Sequence, residues 1–472
     1  MRTIVVRWGV ARAGRGTTED LLALQRRRFR AIAAFARRNS DVYARHYAGC
    51  GDDATAWPAV TKSRLMADLE AWVTDPRIRD ADVRAFLADP ARAGQPFLGR
   101  YTVVTTSGTT GEPARLLHDG HAASVYDALW NWRAFLPRVG VGELLRPDFS
   151  EALLIATGAH FAGVAHFERI RRRVPWMASR LRIVPVGWPL ASIVAALNEL
   201  RPRALSGYPT ALELLAEEQR AGRLRVRPRL VVASGEALSP AARAAIGDAF
   251  GVPVLDVYGS SEFLYLAFGC EHGWLHVNAD WAILEPVDAA YRPVPPGVPS
   301  DTVLLTNLVN RVQPIVRYDL GDGVLVRPDP CPCGSPFPAL RVVGRQDDVL
   351  DVVGDGGERV RLLPLALTTP VETTRGVRRY QVVQRDLRTL EVALEIETGA
   401  EAPRVWQEAL SGLRAYLTAQ GAGGVRVVAS GVAPAAEARS GKWRHVVSMP
   451  RAPYAPADDA AGGVGTSRAT PP

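Results

Sequence analysis

The sequence predicts an α/β fold built on a largely parallel sheet, with a smaller α+β unit beyond it. Three observations carry that prediction. Strand-like apolar runs alternate with helix-like amphipathic runs through the middle of the 472-residue chain. From about residue 281 the pattern turns more β-like. A glycine- and aspartate-rich stretch, VVGRQDDVLDVVGDGG, then separates off a shorter mixture of strands and helices. Alternation of this kind buries parallel strands between helices, and a polar junction marks a second unit.

In chain order, the first hundred residues read as helical, because TEDLLALQRRRFRAIAAFARRNSDVYARHY places its apolar residues at helical spacing. FLGRYTVV is a short strand. EALLIAT precedes a loop and a helix, RLRIVPV precedes LASIVAALNEL, ALSGYPT leads into ALELLAEEQRAG, and PRLVVASGEAL leads into SPAARAAIGDAFG. VPVLDVYGSSE closes the series. Ligands of such sheets gather where strands end, and VVASGEALS and VLDVYGSSE each run from an apolar strand into a small polar turn. DTVLLTNLV and QPIVRYDLGDGVLV supply the β-like runs that follow. From Arg451 the composition is rich in Ala, Gly and Pro, and disorder is expected there. No internal repeat is legible.

Composition narrows the function classes. A hydrophobic content of 47% with 22% charged residues is that of a soluble globular protein. No window reaches the roughly 18 uninterrupted apolar residues of a membrane span, and the arginine-interrupted start is not expected to be a secretory signal. Four cysteines, Cys50, Cys270, Cys331 and Cys333, suit a reducing cytoplasm rather than a disulfide framework. The net charge of +8 comes from scattered arginines. The densest runs, at 26–28 and 169–173, read as solvated helix faces or ion-pair partners, and no nucleic-acid motif accompanies them.

Two local features point to chemistry. TTSGTTGEP, residues 105–113, suits neither helix nor strand, but its amides and hydroxyls can surround a polyanion. It lacks the Gly-Lys-Ser/Thr of a Walker loop, and taken alone it reads rather as a polar surface turn. The second feature is lysine usage. Of 57 basic residues only Lys62 and Lys442 are lysine, leaving 55 arginines. A compact ammonium and a planar guanidinium are not interchangeable, so each lysine is a candidate for a specific task. Lys62, in PAVTKSRL, is expected to cap or pair near a helix start.

Taken in order, TTSGTTGEP, SGYPTALELLA, ASGEALSP, DVYGSSE, TNLVNRVQPIVRYDLGD, CPCGSPFPALRVVGRQDD and SGKWRHV resemble the successive motifs of the adenylate-forming superfamily, over roughly residues 58 to 450. They look most like its phenylacetate-CoA ligase and coenzyme F390 synthetase branch. The order of several motifs makes the resemblance specific.

The resemblance implies a large N-terminal adenylate-forming domain of mixed, largely parallel sheets with helices, and a small mobile α+β C-terminal domain. Residues 1–95 would be the helical part of the large domain, 96–345 its ATP- and acid-binding core, 346–450 the lid and 451–472 a disordered tail. Thr106, Ser107, Gly108, Thr109 and Thr110 match the phosphate-gripping loop, although Glu112 stands where a lysine is frequent. Ser234, Gly235 and Glu236 match the strand end that packs on adenine. Tyr258, Gly259, Ser260, Ser261 and Glu262 match Tyr-Gly-x-Thr-Glu, in which the ring stacks on the base and the acid helps hold magnesium. Asp322 matches the ribose-binding acid, Arg345 the basic residue beside it, Asp347 the hinge and Lys442 the lysine brought in during adenylation.

The expected activity is therefore ATP-dependent conversion of a carboxylic acid to an acyl-adenylate, with transfer by default to coenzyme A. Acceptors such as an amine, a carrier protein or nitrite, and a catalytically degenerate zinc-stabilised binding protein, are the alternatives. His160, Phe161 and His166 fall in the region that gates the acid, where an apolar and aromatic lining would suit an aryl or arylacetic acid, though either histidine could equally be a core residue. Three thiolates and one imidazole could complete a tetrahedral zinc site, with buried free cysteines as the alternative. Relatives in the branch carry a similar set as a structural zinc, which implies Cys270, His276, Cys331 and Cys333, with His272 the weaker candidate.

Overall fold

The computed structural model describes residues 9, 10, 13, 14, 16–51, 57–105, 114–342, 350–362, 364–435 and 445–447. The chain opens with helix α1 (Thr18–Asn39). Its start is fixed by a capping box in which the Asp20 amide donates to Thr17 Oγ1 and the Thr17 amide donates to Asp20 Oδ2, each over 3.1 Å. Leu21, Ile32, Ala33 and Ala36 form its buried stripe. An antiparallel hairpin of β1 (Thr102–Thr105) and β2 (Arg115–His118) follows, leading to α2 (Gly120–Leu129). Asp119 caps α2 by accepting from the amides of His121 and Ala122.

The expected alternation then unfolds: β3 (Glu151–Ile155), α3 (Ala162–Arg173), β4 (Leu181–Pro185), α4 (Leu190–Leu200), β5 (Ala204–Gly207), α5 (Pro209–Arg220), β6 (Leu230–Ser234), α6 (Pro240–Phe250) and β7 (Val254–Tyr258). These five strands are parallel, in the spatial order β4-β3-β5-β6-β7. Helices cover both faces, so β5 is buried at every position and reads as a continuous small or apolar run. The chain leaves β3 toward β4 and returns to β5 on the other side of β3. That reversal makes the carboxyl ends of β3 and β5 a topological switch point, where a crevice opens.

Beyond β7 the same sheet continues antiparallel through β8 (Ala267–Gly269), β9 (Leu275–Val277), β14 (Ala339–Val342) and β13 (Val324–Val326). A three-stranded sheet of β10 (Ala282–Val287), β11 (Thr302–Asn307) and β12 (Tyr318–Asp319) lies between β9 and β13 in the chain. The smaller C-terminal unit pairs β15 (Leu350–Val353) with β16 (Arg359–Leu362). Its four-stranded sheet orders β19 (Arg426–Ala429), β18 (Thr389–Ile396), β17 (Val377–Asp386) and β20 (Val446–Val447), accompanied by α7 (Pro364–Glu372) and α8 (Ala402–Ala419). Gln420 Nε2 donates to Gly187 O over 2.9 Å and Arg361 pairs with Glu217, joining the unit to the loop after β4 and to α5. The fold class is as the sequence predicts. Among the described residues, no helix is long and apolar enough to cross a membrane. The expected tail, 451–472, lies outside them.

Candidate active site

A cleft of about 1570 Å³ opens at the carboxyl ends of β3, β5, β6 and β7. At its mouth the Ala156 amide donates to the Tyr208 hydroxyl over 3.2 Å, bridging the switch point. β6 ends in Ser234-Gly235-Glu236. Gly235 has φ +83°, and an added Cβ would sit 2.9 Å from the Tyr208 ring, so both backbone and packing call for glycine. Glu236 Oε2 accepts from the Thr210 amide (3.1 Å) and hydroxyl (2.7 Å), which fixes this turn to the start of α5.

β7 ends in Tyr258-Gly259-Ser260-Ser261-Glu262, and all five residues line the cleft. The turn is folded so tightly that a Cβ on Gly259 would lie 1.9 Å from Leu264 O. Two buried tyrosine–carboxylate bonds cross it: the Tyr258 hydroxyl donates to Asp322 Oδ2 (2.9 Å), and the Tyr318 hydroxyl donates to Glu262 Oε1 (3.0 Å). Behind the turn a buried relay supports it. Asn307 Nδ2 donates to Glu262 O and to the Tyr126 hydroxyl, which faces His118 Nδ1, while His118 Nε2 lies 2.9 Å from Ser261 O. Burial lowers the His118 pKa to about 4, so the imidazole is neutral and the relay sets Nε2 as the protonated nitrogen.

Thr106, Ser107, Gly108, Thr109 and Thr110, together with Arg345, Asp347 and Lys442, lie outside the described residues. Their flanks are informative. β1 stops at Thr105, whose carbonyl accepts from Ser261 Oγ at 3.4 Å, so the end of β1 lies beside the Tyr258–Glu262 turn. β20, which follows Lys442, runs parallel to β17 in the C-terminal unit, and that unit lends Thr369, Glu372, Arg378 and Arg379 to the cleft wall. Lys62 also lines the cleft, at the first position of a helix, Lys62–Met66, capped by Thr61.

The inner cleft corrects one expectation. Phe161 and His166 line it, but His160 does not. Its carbonyl accepts from the Thr105 amide, and its ring turns into the core, 5.2 Å from Phe86, with Nε2 2.8 Å from Asp89 O. Backbone pairing with the end of β1 therefore decides which of the two histidines reaches the cavity. His166 sits against Tyr265 and the Arg169–Asp127 ion pair, and burial lowers its pKa to about 4.

Sequence reasoning missed several residues here. Arg169, in the run read as a solvated face or ion-pair partners, pairs with Asp127 inside the cleft. Trp130 and Phe135 enter it from a π-helical turn, Trp130–Phe135, that continues α2. Glu151 also lines it. The available signal was a carboxylate opening an otherwise apolar strand.

The cysteine cluster lies beyond β8. Cys270 Sγ and Cys331 Sγ are 3.8 Å apart, Cys333 Sγ is 3.1 Å from His276 Nε2, and all four ligand atoms fall within 4.8 Å of one another. The Phe337 carbonyl faces His276 Nδ1 at 2.9 Å, which places the proton there and leaves Nε2 with its lone pair toward the thiols. His272 stands apart, beside Glu271.

The family described as AMP-binding enzyme matches residues 99–300. No curated protein matches the chain. Among solved structures, the chain is similar to a 2-hydroxyisobutyryl-CoA ligase in complex with 2-HIB-AMP and CoA in the thioesterification state, at 21% identity and a TM-score of 0.57, covering 92% of this chain and 91% of that chain. An open conformation of that ligase, with 2-HIB-AMP and CoA, matches at 22% identity over 90% of each chain with a TM-score of 0.51. At such identity the likeness is one of fold. The family match covers residues 99–300, and the likeness of fold extends over 92% of the chain.

Proposed function

We propose that this protein is an acid ligase of the phenylacetate-CoA ligase type, which uses ATP to convert a small aryl or arylacetic acid to an acyl-adenylate and then transfers the acyl group to coenzyme A. The observation that carries the reading is the Tyr258–Asp322 hydrogen bond at the carboxyl edge of a parallel sheet. It holds an aromatic face and a carboxylate side by side, where an adenine ring and the ribose hydroxyls of one nucleoside can be gripped together.

In the first half-reaction a carboxylate oxygen attacks the α-phosphorus of ATP, a P–O bond forms, and the bond to the β-phosphate breaks with its electron pair leaving on pyrophosphate. Two anions must meet, so the work of the site is positioning and charge stabilisation. Glu236 holds the adenine-side turn against α5, and the 106–113 segment supplies amides and hydroxyls to the phosphates. Lys442 supplies a flexible ammonium between carboxylate and phosphate oxygens. Glu262, with Oε1 held by Tyr318, fits a magnesium ion, which when bound neutralises charge on the polyphosphate. The small C-terminal unit then turns about Asp347 for thioester formation.

The Cys270, His276, Cys331 and Cys333 set fits a structural zinc. Tetrahedral bonds of about 2.3 Å separate two thiolates by roughly 3.8 Å, matching the Cys270–Cys331 spacing. With four protein ligands no position remains open for chemistry. The test of the reading is acid-dependent exchange of labelled pyrophosphate into ATP. Exchange that follows the acid supports it, and exchange indifferent to every acid offered contradicts it.

A further inference from the structure

Glu151 opens β3 on the strand face that carries Leu153 and Ile155 into the cleft, and all three line it. It is only 8% exposed. Every other carboxylate of the cleft has a partner: Asp127 pairs with Arg169, Asp256 with Arg243 at 3.1 Å, Glu236 with Thr210, Glu262 with Tyr318, Asp322 with Tyr258, Asp319 with Thr302 and Glu372 with Tyr380, and Glu271 faces His272. Among the described residues nothing donates to Glu151 and no cation pairs with it, and burial alone pushes its carboxyl up to about 7. A buried carboxylate left without a donor is costly, and one facing a cavity points to a donor that arrives with the ligand.

The surroundings specify that donor. Trp130 stacks on Tyr265 with ring centroids 5.5 Å apart, and Phe135 meets Phe149 edge-on at 5.7 Å. All four rings line the same cleft. An ionised carboxylate only accepts, and a neutral arylamine offers it two N–H donors against a hydroxyl's one while its ring packs on the aromatic faces. The depth is also set. Glu151 opens β3 and Ile155 closes it, so the group Glu151 meets lies at the end of a substrate away from an acid function at the cleft mouth.

We propose that Glu151 is a specificity residue that binds an amino group on the far end of the substrate, so that the acid activated is an amino-substituted aryl or arylacetic acid. This rests on the adenylation reading. The test is acid-dependent pyrophosphate release by the full-length protein with matched sets: benzoate, 4-hydroxybenzoate and 4-aminobenzoate, and phenylacetate with its 4-hydroxy and 4-amino counterparts. The amino members should exceed their partners at least tenfold in kcat/KM. In Glu151→Leu that preference should collapse, and in Glu151→Gln it should weaken, with melting curves confirming that both variants fold. Equal kcat/KM across each set, or a preference that survives in Glu151→Leu, overturns the proposal while leaving adenylation standing. Release with none of the six acids, from protein that binds ATP, overturns the reading and the proposal with it.

Discussion

The Tyr258 hydroxyl donates to Asp322 Oδ2 over 2.9 Å, and this single bond ties the end of β7 to the loop after β12. A hydrogen bond to a charged acceptor is worth about 1.5–3 kcal/mol, or roughly ten- to a hundredfold in affinity. Tyr258→Phe keeps the ring and removes the bond. It should raise the KM for ATP about tenfold with a smaller effect on kcat, measured under saturating acid. An unchanged KM would show that the pair does not organise the nucleotide site.

Lys442→Ala separates binding from chemistry. Loss of a single group that stabilises transition-state charge costs on the order of a hundred- to a thousandfold in kcat, so adenylation should fall by that much. Calorimetric ATP affinity should stay within about threefold, because the lysine's proposed contact is made to the reacting atoms. Equal loss of both would mean that Lys442 only holds nucleotide.

The Cys270–His276–Cys331–Cys333 cluster predicts one zinc per chain by elemental analysis. Cys333→Ser should release the metal and lower the melting temperature by more than about 5 °C, since binding energy at a structural site is folding energy. In the parent protein, prolonged chelation should have the same effect. A protein free of zinc and unmoved by Cys333→Ser would make the cluster a set of packed thiols.

Stability should pass through a maximum in pH. His118 and His166 titrate near 6.5 when unfolded and at about 4 in the fold, so their contribution is fully present above 6.5 and is lost as pH falls toward 4, by up to about 3 kcal/mol each. Glu151 acts in the opposite sense. Raised from 4.5 to about 7, its contribution is present below 4.5 and fades as pH climbs through 7. Urea midpoints should therefore fall between pH 7 and pH 5, and Glu151→Gln should stabilise the protein more at pH 8 than at pH 5. A Glu151→Gln effect independent of pH would mean that this carboxyl ionises normally.

Much of this architecture was legible in the sequence because the information is local. The runs from EALLIAT to VPVLDVYGSSE mark β3 to β7, and Ser239 and Gly251 bracket α6 as a side-chain cap and a left-handed terminus. Strand order was not legible. Nothing in RLRIVPV says that β4 lies outside β3 while β5 lies inside it, since pairing over such separations is decided by packing. The site divided in the same way. Glu236, Tyr258, Glu262 and Asp322 sit at strand ends and turns, whose residue types betray them, and the structure gathers them on one cleft. His160 and His166 differ only in which way the backbone turns after β3, and periodicity does not report that. Glu151 was hidden for a related reason: its place inside a strand suggested sheet structure, and only the cavity beside it reveals an exposed task.

The most direct measurement is product analysis by mass spectrometry after incubation with ATP, magnesium, coenzyme A and the matched acids. The account predicts AMP and an acyl-CoA in equal amounts, with an amino-substituted acid giving the most. ADP in place of AMP, or AMP whose release ignores every acid, would contradict it.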